Sequence, residues 1–140
     1  MKLSERTILR NPFIFKKQII FVSGLIFCFC ISAFSQVLNN NNAVGNITSG
    51  TVVSGGALQN SSGTIENEGT LSASGDFTNS TSGTVFGNGN YSVGGNWSNS
   101  GTFNAGTSTV LFNGSAGQTI GGSTTTNFYN LSQSNTAGVS

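Results

Sequence analysis

The chain has 140 residues, with five basic and four acidic residues, no histidine and a net charge of +1. The charge is unevenly placed, because all five basic residues precede Gln18. From Gln36 onward the sequence contains no Lys, Arg, His, Cys or Pro. This composition excludes disulfide bonds, thiolate metal sites and catalysis by a His or Lys base in that part of the chain.

Residues 1–35 are predicted to be a signal peptide. Lys16 and Lys17 end a basic segment, and an apolar run follows from Ile19 to Phe34. This run is shorter than the roughly 20 residues that a spanning helix needs. Small residues at positions 33 and 35 favour cleavage between Ser35 and Gln36. An uncleaved membrane anchor is the alternative.

The sequence after Ser35 begins with a short asparagine-rich segment and then repeats. Residues 36–45, QVLNNNNAVG, are predicted to be a flexible lead-in. The pattern Gly-x-apolar-x-Asn then occurs as GALQN at 56–60, GDFTN at 75–79 and GNWSN at 95–99, in steps of 19 and 20 residues. A Gly-Thr-apolar triplet follows each copy, at 63–65, 83–85 and 101–103. A fixed period of roughly 20 residues indicates a solenoid.

Aligning the repeats produces columns of equivalent apolar residues. Two columns carry the core prediction: Leu58, Phe77 and Trp97 form one, and Ile65, Val85 and Phe103 form the other. Two further columns consist of Leu71, Tyr91 and Val110, and of Ala73, Val93 and Phe112. Columns about six residues apart, separated by Gly, Asn and Ser, are too close for helices and suit three short strands per turn.

The fold prediction is therefore an all-β parallel β-helix (β-solenoid) over residues 46–140, with about 20 residues per turn. Turns stacked about 4.8 Å apart would convert each column into a continuous core. There is room for about five turns, or a rod roughly 25 Å long. Disorder and a β-sandwich of short strands are the alternatives.

Few side chains could support chemistry or ligand binding. The acidic residues after Ser35 are Glu66, Glu68 and Asp76, and we interpret them as solubilising surface charges. Their alternative role is a weak Ca²⁺ site. We predict no catalytic residue, no metal site and no cofactor. The net charge of −3 beyond Ser35 argues against nucleic acid and against membrane-surface binding.

Some repeated residues allow a structural or a binding interpretation. Trp97 could stack on a sugar, but its column indicates the core. The repeated asparagines could bind ligand, but a stacked corner ladder is favoured; its members are Asn60, Asn79 and Asn99. The outward threonine column at 64, 84 and 102 could bind ice, but the positions two residues later are Glu, Phe and Asn and are not regular.

The stretch GNWSNSGTFNAGTSTVLFNGSAGQTIGG, followed by Phe128-Tyr129-Asn130-Leu131, resembles repeats in large secreted surface proteins of Bacteroidota. These adhesin-like or haemagglutinin-like proteins resemble right-handed parallel β-helices and often end in a type IX secretion sorting domain. The resemblance covers about Val44 to Ser140 and brings no catalytic motif. The sequence ends within what looks like a further turn, without a cap or a sorting domain. We therefore expect an N-terminal fragment whose repeats continue beyond residue 140.

These observations favour an exported, non-enzymatic repeat protein at the outer cell surface or outside the cell, acting as an adhesin-like stalk or binding scaffold. The mature chain is expected not to insert into membranes. Expected partners are host or environmental glycans or other surface proteins, and the uncapped solenoid end could support self-association. The alternative function is the N-terminal part of a β-helix polysaccharide lyase or glycoside hydrolase with its active site beyond residue 140.

Overall fold

A computed structural model describes residues 37–140, so the predicted signal peptide and the Ser35–Gln36 cleavage site lie outside the described part. Residues 37–140 contain strands and no helix. The strands are β1 (Leu38–Asn40), β2 (Ala43–Ile47), β3 (Val52–Gly55), β4 (Leu58–Asn67), β5 (Thr70–Ala73), β6 (Phe77–Phe86), β7 (Asn90–Val93), β8 (Trp97–Asn99), β9 (Thr102–Asn104), β10 (Thr109–Phe112), β11 (Ile120–Gly121) and β12 (Asn130–Gln133).

The strands form two sheets in which each strand pairs in parallel with a strand of an adjacent turn. One sheet has the order β1-β4-β6-β8-β11, with β2 beside β4 and β9 beside β6, and the other has the order β3-β5-β7-β10-β12. The first position of each turn is occupied by Leu38, Leu58, Phe77, Trp97 and Ile120, which align from one turn to the next. Residues 37–140 thus form a β-solenoid of about five turns, as the repeat predicted.

We number the turns one to five, starting at residues 38, 58, 77, 97 and 120. Turns one to four each have three straight segments, whereas turn five has two strands, β11 and β12. In turns two and three the first two segments join into a single long strand, β4 or β6. The pairing of β4 with β6 shifts between Asn60 and Ser62, where both strands turn a corner. On either side of this corner, alternate residues face inward and are buried, which is the two-residue period of a strand.

The predicted apolar residues line the interior in register. Leu58, Phe77 and Trp97 are paired across adjacent turns and are at most 2% exposed. Ile65 and Val85 are buried, and Phe103, which pairs with Val85, is half-buried against the same core.

Aromatic rings pack against one another in the core of turns three and four. The rings of Phe77 and Trp97 lie nearly parallel, with centroids 3.9 Å apart. Tyr91 and Phe103 meet the Trp97 ring edge-on, with centroids 6.3 and 5.0 Å away. Such arrangements add about 0.5–1.5 kcal/mol per pair beyond the burial of apolar surface.

Regular structure begins within residues 36–45, the segment predicted to be a flexible lead-in. Strand β1 pairs residue for residue with the start of β4, and β2 pairs with its end. The asparagine run is accommodated because the Asn40 amide bonds to the turn above it, and because Asn42 adopts a positive φ of 58° at the corner. Within residues 37–140, strand pairing therefore begins at Leu38.

Candidate functional surface

The corner between the first two segments of each turn is held by a ladder of asparagine side chains. Asn60, Asn79 and Asn99 are fully buried there, and Asn40 stands before them as the first rung. Adjacent amides are hydrogen-bonded to each other, with N···O distances of 2.9 Å in all three steps. The Asn60 amide also fits in the reversed orientation, in which its nitrogen donates to the Ser62 carbonyl and its oxygen accepts from the Thr84 main-chain N. Asn40 was missed as a rung because it belongs to an asparagine run. Its position one repeat length before Asn60 is the signal that identifies it.

The ladder bonds also tie each corner to the main chain of the next turn. The Nδ2 atoms of the first three rungs donate to the carbonyl oxygens of Thr64, Thr84 and Thr102, at 3.2, 3.3 and 3.0 Å. Each of these three rungs therefore satisfies a side-chain donor and a main-chain acceptor that would otherwise be left unpaired at a corner. The asparagines have a structural role in this geometry.

The ladder stops in turn five. Gly122 follows β11 at the level of Asn99, with a positive φ of 118°, and a side chain there would collide with the Asn99 main chain. Among the described residues no acceptor reaches the Asn99 Nδ2, although the side chain is buried. The ladder therefore contributes no side-chain bond between turns four and five.

Two outward columns run along the face formed by β2, β4, β6 and β9. Thr64, Thr84 and Thr102 lie in register in the first, and Glu66, Phe86 and Asn104 lie in register in the second. Phe86 is half-buried and lies outside the core cluster, so part of its ring faces solvent. The ring thus stands between a carboxylate on one side and an amide on the other.

The three carboxylates are not brought together. Glu68 accepts bonds from the main-chain N and the Nδ2 of Asn88, at 3.2 and 3.1 Å, and Asp76 accepts one from the Asn96 main-chain N at 2.7 Å. Asp76 precedes β6, whereas Glu66 pairs with the last residue of that long strand. Within residues 37–140 no three His, Cys, Asp or Glu side chains lie close enough together to hold a metal ion. Two of the carboxylates thus act as caps for main-chain N–H groups at corners.

Trp97 lies in the core. Its side chain is 1% exposed, stacks on Phe77 and donates from Nε1 to the Thr126 Oγ1 at 3.2 Å. A ring enclosed in this way has no free face for a sugar.

The hydroxyl of Tyr91 is buried and makes no hydrogen bond within the described residues. Burial raises the pKa of Tyr91 well above its usual range, and the nearby Glu68 carboxylate acts in the same direction, while the Asn67 amide opposes them. Tyr91 therefore contributes its ring to the core and is not suited to act as an acid or a base near neutral pH.

The described residues contain no helix that could cross a membrane. No family model, curated protein or solved structure matches the chain.

Proposed function

We propose that the protein is a non-enzymatic repeat protein of the cell surface or the extracellular space, in which the solenoid serves as an adhesin-like stalk or binding scaffold. Its contribution is geometric, because a stack of similar turns displays its outer side chains at a constant spacing along a rigid edge. The proposed export rests on the basic and apolar pattern of residues 1–35.

The observation that supports the proposal is that the repeated residues have structural roles within the solenoid. Apolar columns fill the interior, asparagines bond the corners, and Glu68 and Asp76 cap main-chain N–H groups. The outer columns consist mainly of Thr, Ser and Asn, whose side chains have no activating His or Lys base among the residues after Ser35. A chain built in this way is suited to hold a shape and present a surface.

Export and display are tested on cells that produce the full chain with an epitope tag. Antibody labelling of intact cells and digestion by added protease should both detect the tagged protein. The matched control is Leu25→Arg, which interrupts the apolar run and should leave the protein inside the cells. Finding the unmodified protein only inside the cells would refute the proposed location.

Lack of enzymatic activity is tested separately, by incubating the purified chain with a panel of acidic and neutral polysaccharides. We expect no new reducing ends and no unsaturated sugars. Turnover that is abolished in the double variant Glu66→Gln, Glu68→Gln would instead support an enzyme.

A second candidate function is glycan binding at the column of Glu66, Phe86 and Asn104. The part-exposed Phe86 ring offers an apolar face to a sugar, and its two neighbours in register offer hydrogen-bonding groups about 4.8 Å away on either side. Titration with neutral oligosaccharides should show saturable binding that Phe86→Ser weakens at least about tenfold, equivalent to about 1.4 kcal/mol. Thr84→Ser, on the same strand, is the control and should bind normally. Equal affinity of the two variants would refute this site.

A further inference from the structure

Two Asn-Gly dipeptides occur in the sequence, Asn88-Gly89 and Asn113-Gly114, and the structure holds them differently. Asn-Gly is the dipeptide most suited to spontaneous deamidation, because glycine has no side chain to hinder ring closure. The glycine main-chain nitrogen attacks the asparagine Cγ, loses its proton to water or hydroxide, and expels the side-chain amide nitrogen as ammonia. Water then opens the resulting succinimide at either carbonyl, which yields aspartate or isoaspartate.

The reacting atoms of the first dipeptide are tightly held. The Asn88 Nδ2 donates to both carboxylate oxygens of Glu68, at 3.1 and 3.2 Å. Its Oδ1 accepts from the main-chain N and the Oγ1 of Thr107, at 3.0 and 3.1 Å. The attacking nitrogen, that of the buried Gly89, donates to the Asn67 carbonyl at 2.8 Å. Ring closure at Asn88 therefore requires a whole corner of the solenoid to open.

The second dipeptide is held by side chains alone at its reacting atoms. The exposed Asn113 makes one side-chain bond, from Nδ2 to the Ser92 Oγ at 2.9 Å. The Gly114 nitrogen donates to the Gln118 Oε1 at 2.9 Å. Neither bond belongs to the main-chain pairing between strands, so both can break without separating any pair of strands.

We propose that Asn113 is a site of spontaneous deamidation and isoaspartate formation in the folded protein, and that Asn88 is protected by its hydrogen bonds. The modification requires only water as co-reactant. It goes beyond the proposed role as a surface scaffold and does not depend on it.

Isoaspartate at position 113 would act on the attachment of turn five. The Gln118 side chain is buried and links three turns, because Nε2 donates to the Val93 carbonyl at 2.9 Å and Oε1 accepts from Gly114 and from the Asn135 Nδ2, the latter at 2.9 Å. An isoaspartate inserts one more carbon into the main chain directly before Gly114. The Gly114 N–H then moves away from the Gln118 Oε1. The Gln118 side chain is less firmly held as a result, and its bond to the Asn135 Nδ2 is weakened.

The test follows both sites in one sample of the full chain. The purified protein is incubated in mildly alkaline buffer, in the folded state and in denaturant, and is digested with chymotrypsin because no Lys or Arg lies beyond Lys17. Mass spectrometry with chromatographic separation of isoaspartate gives the rate at each asparagine. The ratio of folded to unfolded rates corrects each site for its own sequence.

We expect this ratio to be at least about tenfold higher for Asn113 than for Asn88, because at least two more hydrogen bonds must break at Asn88. Asn113→Gln should form no isoaspartate at this position on the same timescale, since its ring would be larger. Equal ratios at the two sites, or faster reaction at Asn88, would overturn the proposal.

The structural consequence has its own measurement. Hydrogen exchange of β12 and of residues 134–140 should become faster in the fraction with isoaspartate, and should change little in Asn113→Asp, which adds the charge without lengthening the main chain. Unchanged exchange in the isoaspartate fraction would refute the proposed effect on turn five.

Discussion

Removing one interior rung of the asparagine ladder should destabilise the protein far more than removing its first rung. Asn79 accepts a bond from Asn60 and donates to the Asn99 Oδ1 and to the Thr102 carbonyl, at 2.9, 2.9 and 3.0 Å. Three bonds at a net value of about 1 kcal/mol each give about 3 kcal/mol. The buried Asn99 amide also loses its last side-chain partner, which adds about 1–2 kcal/mol. We therefore expect Asn79→Ala to lower the free energy of unfolding by about 4–5 kcal/mol.

Asn40→Ala is the matched control. Asn40 also makes three side-chain bonds, to Ala43, Asn60 and Thr64, but it is only half-buried. Water can enter the space that it leaves and bond to the groups that it abandons. The expected loss is below about 1 kcal/mol.

Both variants are measured by urea unfolding of the full chain. The fluorescence of Trp97 is a suitable signal because it is the only tryptophan, is buried and lies in the turn that carries the last rung. Circular dichroism of the strands should follow the same transition. Equal losses for Asn79→Ala and Asn40→Ala would refute the idea that buried ladder bonds stabilise the corners.

Four further substitutions test other parts of the solenoid. Gly101→Ala should destabilise by several kcal/mol, because a Cβ would collide with main-chain carbonyl oxygens of the preceding turn, whereas Gly121→Ala meets open space and should change stability by less than about 0.5 kcal/mol in thermal melts. Phe77→Ala should cost about 3–5 kcal/mol in urea unfolding through loss of the stack on Trp97, and a cost below about 1 kcal/mol would contradict the packing. Tyr91→Phe should be neutral or stabilising by about 1 kcal/mol, because it removes an unpaired hydroxyl. Because the folded-state pKa of Tyr91 is raised above its unfolded value, the free energy of unfolding is unaffected by this group below about pH 10 and falls as the pH rises further. This alkaline loss of stability should be smaller in Tyr91→Phe.

The fold could be predicted because the same residue types recur about every 20 positions in the sequence. Leu58, Phe77 and Trp97 follow glycines at the same offset and precede asparagines at the same offset, so the repeat is visible without any structural information. Large apolar residues that are flanked by Gly, Ser and Asn can be buried in few ways. Stacking equivalent turns on one another is the simplest of these.

The hydrogen-bonding roles at the corners could not be predicted in the same way. Glu68 and Asp76 read as surface charges, and their binding to N–H groups of the next turn depends on the height and direction of that turn. Asn40 is predicted to be part of a flexible run, because an asparagine is a rung only when another lies directly above or below it in an adjacent turn. Such roles come from register between turns, which a local pattern does not specify.

The same dependence on neighbours explains why the solenoid is uneven along its length. The inward residues of turns two to four lie between neighbouring turns, and the ladder, the aromatic stack and the apolar columns overlap there. Turn five departs from the repeat: it begins later than the period predicts, Gly122 takes the place of a rung, and all of β12 is exposed. Gln118 compensates in part by bonding to turns three and five. Since each turn is stabilised mainly by its immediate neighbours, a change near Gln118 should loosen turn five and leave turns two to four folded.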